Sequence, residues 1–176
     1  MAIIETISPE TAQGETKKIY DMMLKNVGVV PAPLQLASAS PGMLNFQWES
    51  IKYYSQHPTL GFALLSTIRF LVSKHLHYAF CENFNKTLLN KQGLSDEDID
   101  EMLEDPLKAP LEEKDQVMLG FVMKAIKSPD AVEQQDMDRL HDMGWTDRDI
   151  LDALAHGTNM VGASILMKTF KMDVVC

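Results

Sequence analysis

Residues 59–91 constrain this chain most. They contain no proline, their one glycine is Gly61 near the start, and apolar side chains occupy nearly every helical face as far as Val72. An exposed helix carries a single apolar stripe, so this pattern predicts a helix packed on several sides. A long central helix over 59–91 is expected, and Gly93 is placed to end it.

The punctuation on either side predicts more helices. "ETKKIYDMMLKNVG", with Ile19, Met22 and Met23 on one side, reads as an amphipathic helix ending near Gly28, and "VVPAP" as an extended breaker after it. Ser40 before Pro41 is a cap followed by a first-turn proline, and "HPT" at 57–59 stops the helix that begins there. "LEEKDQVMLGFVMKAIK" forms another, closed by "SPD" at 128–130. "GLSDEDIDEML" and "GWTDRDILDAL" each pair a stop glycine with a hydroxyl cap, Ser95 or Thr146, and an acid three residues later. Each predicts a capping box. No segment alternates with period two between turn signals, so the expected fold class is all-α, a single domain over residues 1–176 with six to eight helices.

Composition narrows the function classes. The chain has 176 residues, and 25 acidic against 16 basic side chains give a formal net charge of -9. That charge repels a phosphate backbone, so no nucleic-acid partner is expected. No apolar run approaches the roughly 20 residues of a membrane span, and the amino terminus lacks a basic flank and apolar core. No membrane partner and a cytoplasmic location are the expectations. Only Cys81 and Cys176 are present, which provides neither a disulfide framework nor a multi-cysteine metal site. No metal or cofactor is expected. The 12 methionines suit a helical core or subunit interface.

On a continuous helix, Lys74, His77, Tyr78, Cys81 and Asn85 share one face, because three- and four-residue steps return to the same side. Ser66 and Thr67 rejoin it several turns earlier, while Arg69 and His75 point elsewhere. Two readings of Cys81 stand side by side. Cations at Lys74 and His77 would favour a nucleophilic thiolate; equally, a lone cysteine is among the residue types most often buried as packing. His156, in "ALAHGTNMVGASILM", is expected to serve close helix packing.

With these segments in view, and with "IRFLVSKHLHYAFCENFNKTLL" and "MGWTDRDILDALAHGTN" as its centre, the chain resembles the alkylhydroperoxidase D and carboxymuconolactone decarboxylase superfamily. The likeness is to its peroxidase-related branch and covers most of the chain. Redox-active members carry a glutamate, a serine, a CxxC pair and then a histidine on the central helix. Anchored on Ser73, the resemblance places Ser66 at the glutamate, Tyr78 at the first cysteine, Cys81 at the second and Asn85 at the histidine. Only Cys81 is retained. A carboxamide and a serine hydroxyl do not exchange protons near neutral pH, so the implied proton relay is absent.

The resemblance implies a homo-oligomer, whether dimer, trimer or hexamer, acting on a small-molecule substrate. One functional expectation is a one-cysteine antioxidant or a non-redox enzyme, with Cys81 as nucleophile, His77 as base, and Lys74 and Tyr78 orienting. The alternatives are a non-catalytic oligomeric ligand-binding or interaction protein, a peroxidase pairing Cys81 with Cys176, and a muconolactone-type decarboxylase.

Overall fold

The computed structural model describes residues 2–173. Among them the chain is all-α: α1 Gly14–Val27, α2 Ala32–Ala37, α3 Pro41–Ser55, α4 Phe62–His75, α5 Ala79–Lys91, α6 Asp96–Glu104, α7 Glu113–Lys127, α8 Gln134–Asp142 and α9 Asp147–Thr169. Single 3₁₀ turns occupy Pro106–Lys108 and Pro129–Ala131. Cys176 lies outside the described residues. The described residues group into two compact units, one formed by residues 2–57 and 165–173, the other by Pro58–Ser164.

In the first unit, α1 turns Ile19, Tyr20 and Met23 into a core shared with Ala12, Val30, Leu34 and Leu44. Met22, expected beside them, is 45% exposed. The helix stops where Gly28 takes a left-handed φ of 84° and its N–H bonds to the Leu24 carbonyl at 3.0 Å. The "VVPAP" segment is extended only as far as Pro31; Ala32 and Pro33 already open α2, because proline's fixed φ suits a first helical turn that needs no N–H donor. Ser40 does precede α3, with Pro41 in the first turn, but its hydroxyl makes no capping bond. Tyr20 Oη donates to the Ile7 carbonyl at 3.0 Å and Ser38 Oγ accepts from the Ile7 N–H at 2.8 Å, which ties the leader to the core.

The second unit holds both predicted capping boxes. Ser95 Oγ accepts from the Asp98 N–H at 3.1 Å while Asp98 accepts from the Ser95 N–H at 2.7 Å. Thr146 and Asp149 repeat the exchange at 3.2 and 3.1 Å. Within this unit α9 approaches α7 closely: a Cβ at Gly157 would lie 2.8 Å from Val122 Cγ1.

The single long helix over 59–91 is not formed, and with that break and α2 the helix count exceeds the six to eight expected. The chain divides into α4 and α5 at Leu76–His77–Tyr78. The Tyr78 N–H reaches back to the Ser73 carbonyl at 2.8 Å and the His77 N–H to the Lys74 carbonyl at 3.1 Å. These two bonds define a Schellman stop, whose left-handed position is usually glycine. Here His77 fills it, at φ 49°. A β-carbon in the left-handed region costs roughly 1–2 kcal/mol, and no sequence signal marked the site.

His77→Gly should therefore raise stability by about 1 kcal/mol, or Tm by about 3 °C, since the exposed imidazole makes no hydrogen bond among the described residues. Thermal unfolding followed by circular dichroism checks this; an unchanged or lowered Tm would contradict the strain assignment.

Candidate functional site

The break at residues 76–78 lets α4 and α5 pack against each other, and this brings together side chains that a continuous helix would hold apart. Ser66, Arg69 and Ser73 recur along α4 at helical spacing, and Cys81 and Asn85 along α5. Arg69 is the only charged residue between Leu60 and Ser73. Expected to point elsewhere, it instead faces α5: its Nε donates to Asn85 Oδ1 at 2.8 Å, and its Nη1 bonds to His156 Nε2 of α9 at 3.1 Å. The earlier expectation failed because it assumed one unbroken helical axis.

Asn85 works in both directions. Its Oδ1 receives the guanidinium while its Nδ2 donates to the Cys81 carbonyl at 2.8 Å. Because arginine can only donate, the amide orientation follows from chemistry. The same argument fixes the histidine tautomer. His156 Nε2 must be the acceptor, which places the proton on Nδ1, and the ring's backbone hydrogen bond is to Leu65.

Burial first, and then the Arg69 charge, push His156 down to about 3. It is a neutral acceptor at physiological pH, so it does not supply the proton relay. Burial also pulls Arg69 down to about 10, partly opposed by its electrostatic attraction to Cys81, and leaves it a full cation. Phe62 lies beside the guanidinium, with its ring centroid 5.9 Å from Cζ.

The residues singled out in the sequence separate into two sets. Cys81, Tyr78, Asn85 and Ser66 are buried. Ser66 Oγ donates within α4, to Phe62 O at 2.8 Å, and accepts from Gln92 Nε2 at 3.2 Å. Lys74 and His77 are exposed instead. Lys74 Nζ is committed to Glu82 Oε1 at 2.6 Å across the break. Arg69 and His156 are the members sequence reasoning passed over. The available signal was Arg69's isolation in an apolar run, since a charge so placed needs partners. No group of three or more His, Cys, Asp or Glu side chains suited to a metal occurs among the described residues. No described helix is long and apolar enough to cross a membrane.

This architecture is the all-α fold of alkylhydroperoxidase D-like proteins. The chain is similar to an uncharacterized peroxidase-related protein from Silicibacter sp. TM1040, with a TM-score of 0.77 and 21% identity over 98% of this chain and 94% of that one. It is also similar to the alkylhydroperoxidase AhpD core of an uncharacterized peroxidase-related protein from Ralstonia eutropha JMP134, with a TM-score of 0.72 and 17% identity over 97% and 90%. No protein-family model and no curated protein matches the sequence.

The His156 assignment has a pH consequence. A histidine whose folded pKa lies below its ordinary value of 6.5 leaves stability intact above that value and erodes it as pH falls toward about 3. The unfolding free energy should fall by up to about 1.4 kcal/mol per pH unit in that window, and His156→Gln should lack one proton's share of the slope. Denaturant titrations at several pH values measure it; equal slopes in the two proteins would refute the neutral buried ring.

Proposed function

We propose that this chain is a one-thiol, peroxidase-related protein on the alkylhydroperoxidase D scaffold, with Cys81 as the reacting atom and Arg69 as its electrostatic support. The observation that carries this reading is Asn85, which accepts from the Arg69 guanidinium and donates to the Cys81 backbone carbonyl, in a site with no carboxylate hydrogen-bonded to the guanidinium among the described residues. A neighbouring cation favours thiolate over thiol. Cys81 also lies in the first turn of α5, where the helix dipole acts in the same sense.

The step consistent with this site is attack of the Cys81 thiolate on the terminal oxygen of an alkyl hydroperoxide. A sulfur–oxygen bond forms, the oxygen–oxygen bond breaks, and the alkoxide leaves and takes a proton from water. Cys81 becomes a sulfenic acid. Two equivalents of an external thiol then return it to the thiol, releasing water and a disulfide. His156 is too weak a base to assist, so turnover should trail two-cysteine relatives by roughly 10²- to 10⁴-fold.

Full-length protein treated with cumene hydroperoxide and dimedone should yield a sulfenate adduct on Cys81 by mass spectrometry. Dithiothreitol-dependent peroxide consumption should disappear in Cys81→Ser. Absence of the adduct, or turnover that persists in Cys81→Ser, would remove the redox reading.

A second reading draws on Cys81 being only 6% exposed. A sealed thiol suits a non-catalytic oligomer that uses the same site to hold a ligand. Either reading fits self-association, which is supported by Phe46, Leu151 and Ile165 standing 67%, 67% and 61% exposed on helices. Light scattering after size-exclusion chromatography should give a multiple of the chain mass; a monomer at micromolar concentration would contradict the oligomer.

A further inference from the structure

We propose that Arg69 is the recognition group for a carboxylate-bearing small molecule with an apolar body, bound against the Phe62 ring. This deepens the one-thiol reading by naming a substrate class, but binding of the carboxylate does not require that Cys81 react.

The argument begins with an unbalanced charge. A partly buried guanidinium loses hydration and normally recovers it from a carboxylate. Arg69 has two side-chain acceptors and both are neutral: the Asn85 amide and the His156 ring, itself held uncharged. Arginine carries five N–H donors. Two are used, and the remaining three, spread over Nη1 and Nη2, have no acceptor among the described residues. Lys17, Lys18, Lys52, Lys74, Lys86 and Lys124 each meet a carboxylate within 3.1 Å. Lys25, Lys91, Lys127 and Arg139 form no ion pair among the described residues, but all four are exposed and keep their water, whereas Arg69 is partly buried.

Access and shape select the ligand. Arg69 retains partial contact with solvent, and Phe62, 58% exposed, gives an apolar wall beside the guanidinium. A planar fork of parallel N–H groups matches the two oxygens of a carboxylate. The aromatic wall adds preference for a molecule whose carboxylate is attached to an apolar or aromatic portion.

Isothermal titration of the full-length protein with sodium benzoate, benzamide, sodium acetate and inorganic phosphate tests this. Benzoate should bind with a Kd of roughly 1 mM or tighter. The neutral benzamide should bind at least about tenfold more weakly, and Arg69→Gln should weaken benzoate roughly 10- to 100-fold. Arg69→Lys, which keeps the charge and loses the fork, should also weaken it. Should the Arg69 variants fail to fold by circular dichroism, Phe62→Ala decides: at its exposed position it should weaken benzoate and leave acetate unchanged. Equal affinity for benzoate and benzamide, phosphate binding as tight as benzoate, or no benzoate heat at about 10 mM would each overturn the assignment. A missing sulfenate adduct with intact benzoate binding would end the redox reading alone.

Discussion

The second unit is organised around one energetic problem, a guanidinium set between α4, α5 and α9. Placing a charge there costs desolvation that only hydrogen bonds and nearby anions offset. Two neutral acceptors, Asn85 and His156, hold Arg69 in place without cancelling its charge. Each is oriented by arginine's inability to accept, and through Asn85 the orientation passes to the Cys81 backbone. The site thus holds a cation on two neutral acceptors, one of which also bonds the Cys81 backbone.

This changes the chemical character expected from the scaffold. The resemblance implied proton traffic through a glutamate and a histidine and aligned Ser66 and Asn85 with them; the one buried histidine, His156, is held far below its ordinary value by burial and the Arg69 charge. In the proposed reading, the same cation would stabilise negative charge on a thiolate, a departing alkoxide or a bound carboxylate. The identities of 21% and 17% to the similar structures speak to the shared fold, and the chemistry has to be argued from these side chains.

Much of the fold was legible because local signals were strong. Gly28 and Gly93 end helices in left-handed conformations, and the boxes at Ser95 and Thr146 form as their spacing requires. The break at 76–78 was hidden because a histidine performs glycine's task there, held by the surrounding helices against its own preference. Missing that break also changed which side chains were grouped on one face. A helical-wheel argument over one axis put Arg69 on the wrong side and grouped Lys74 and His77 with Cys81, whereas both are exposed. Cys81 and Asn85 stay one turn apart on α5, since a four-residue step within that helix survives the break. Partners recruited from α9 depend on tertiary packing, which periodicity along α4 and α5 does not report.

Asn85 carries a consequence of its own. An aspartate in its place would neutralise the guanidinium from within, but it would lose the bond that the amide donates to the Cys81 carbonyl and set oxygen against oxygen there. The amide of Asn85 therefore determines whether this fold presents an outward-looking cation or a self-contained ion pair.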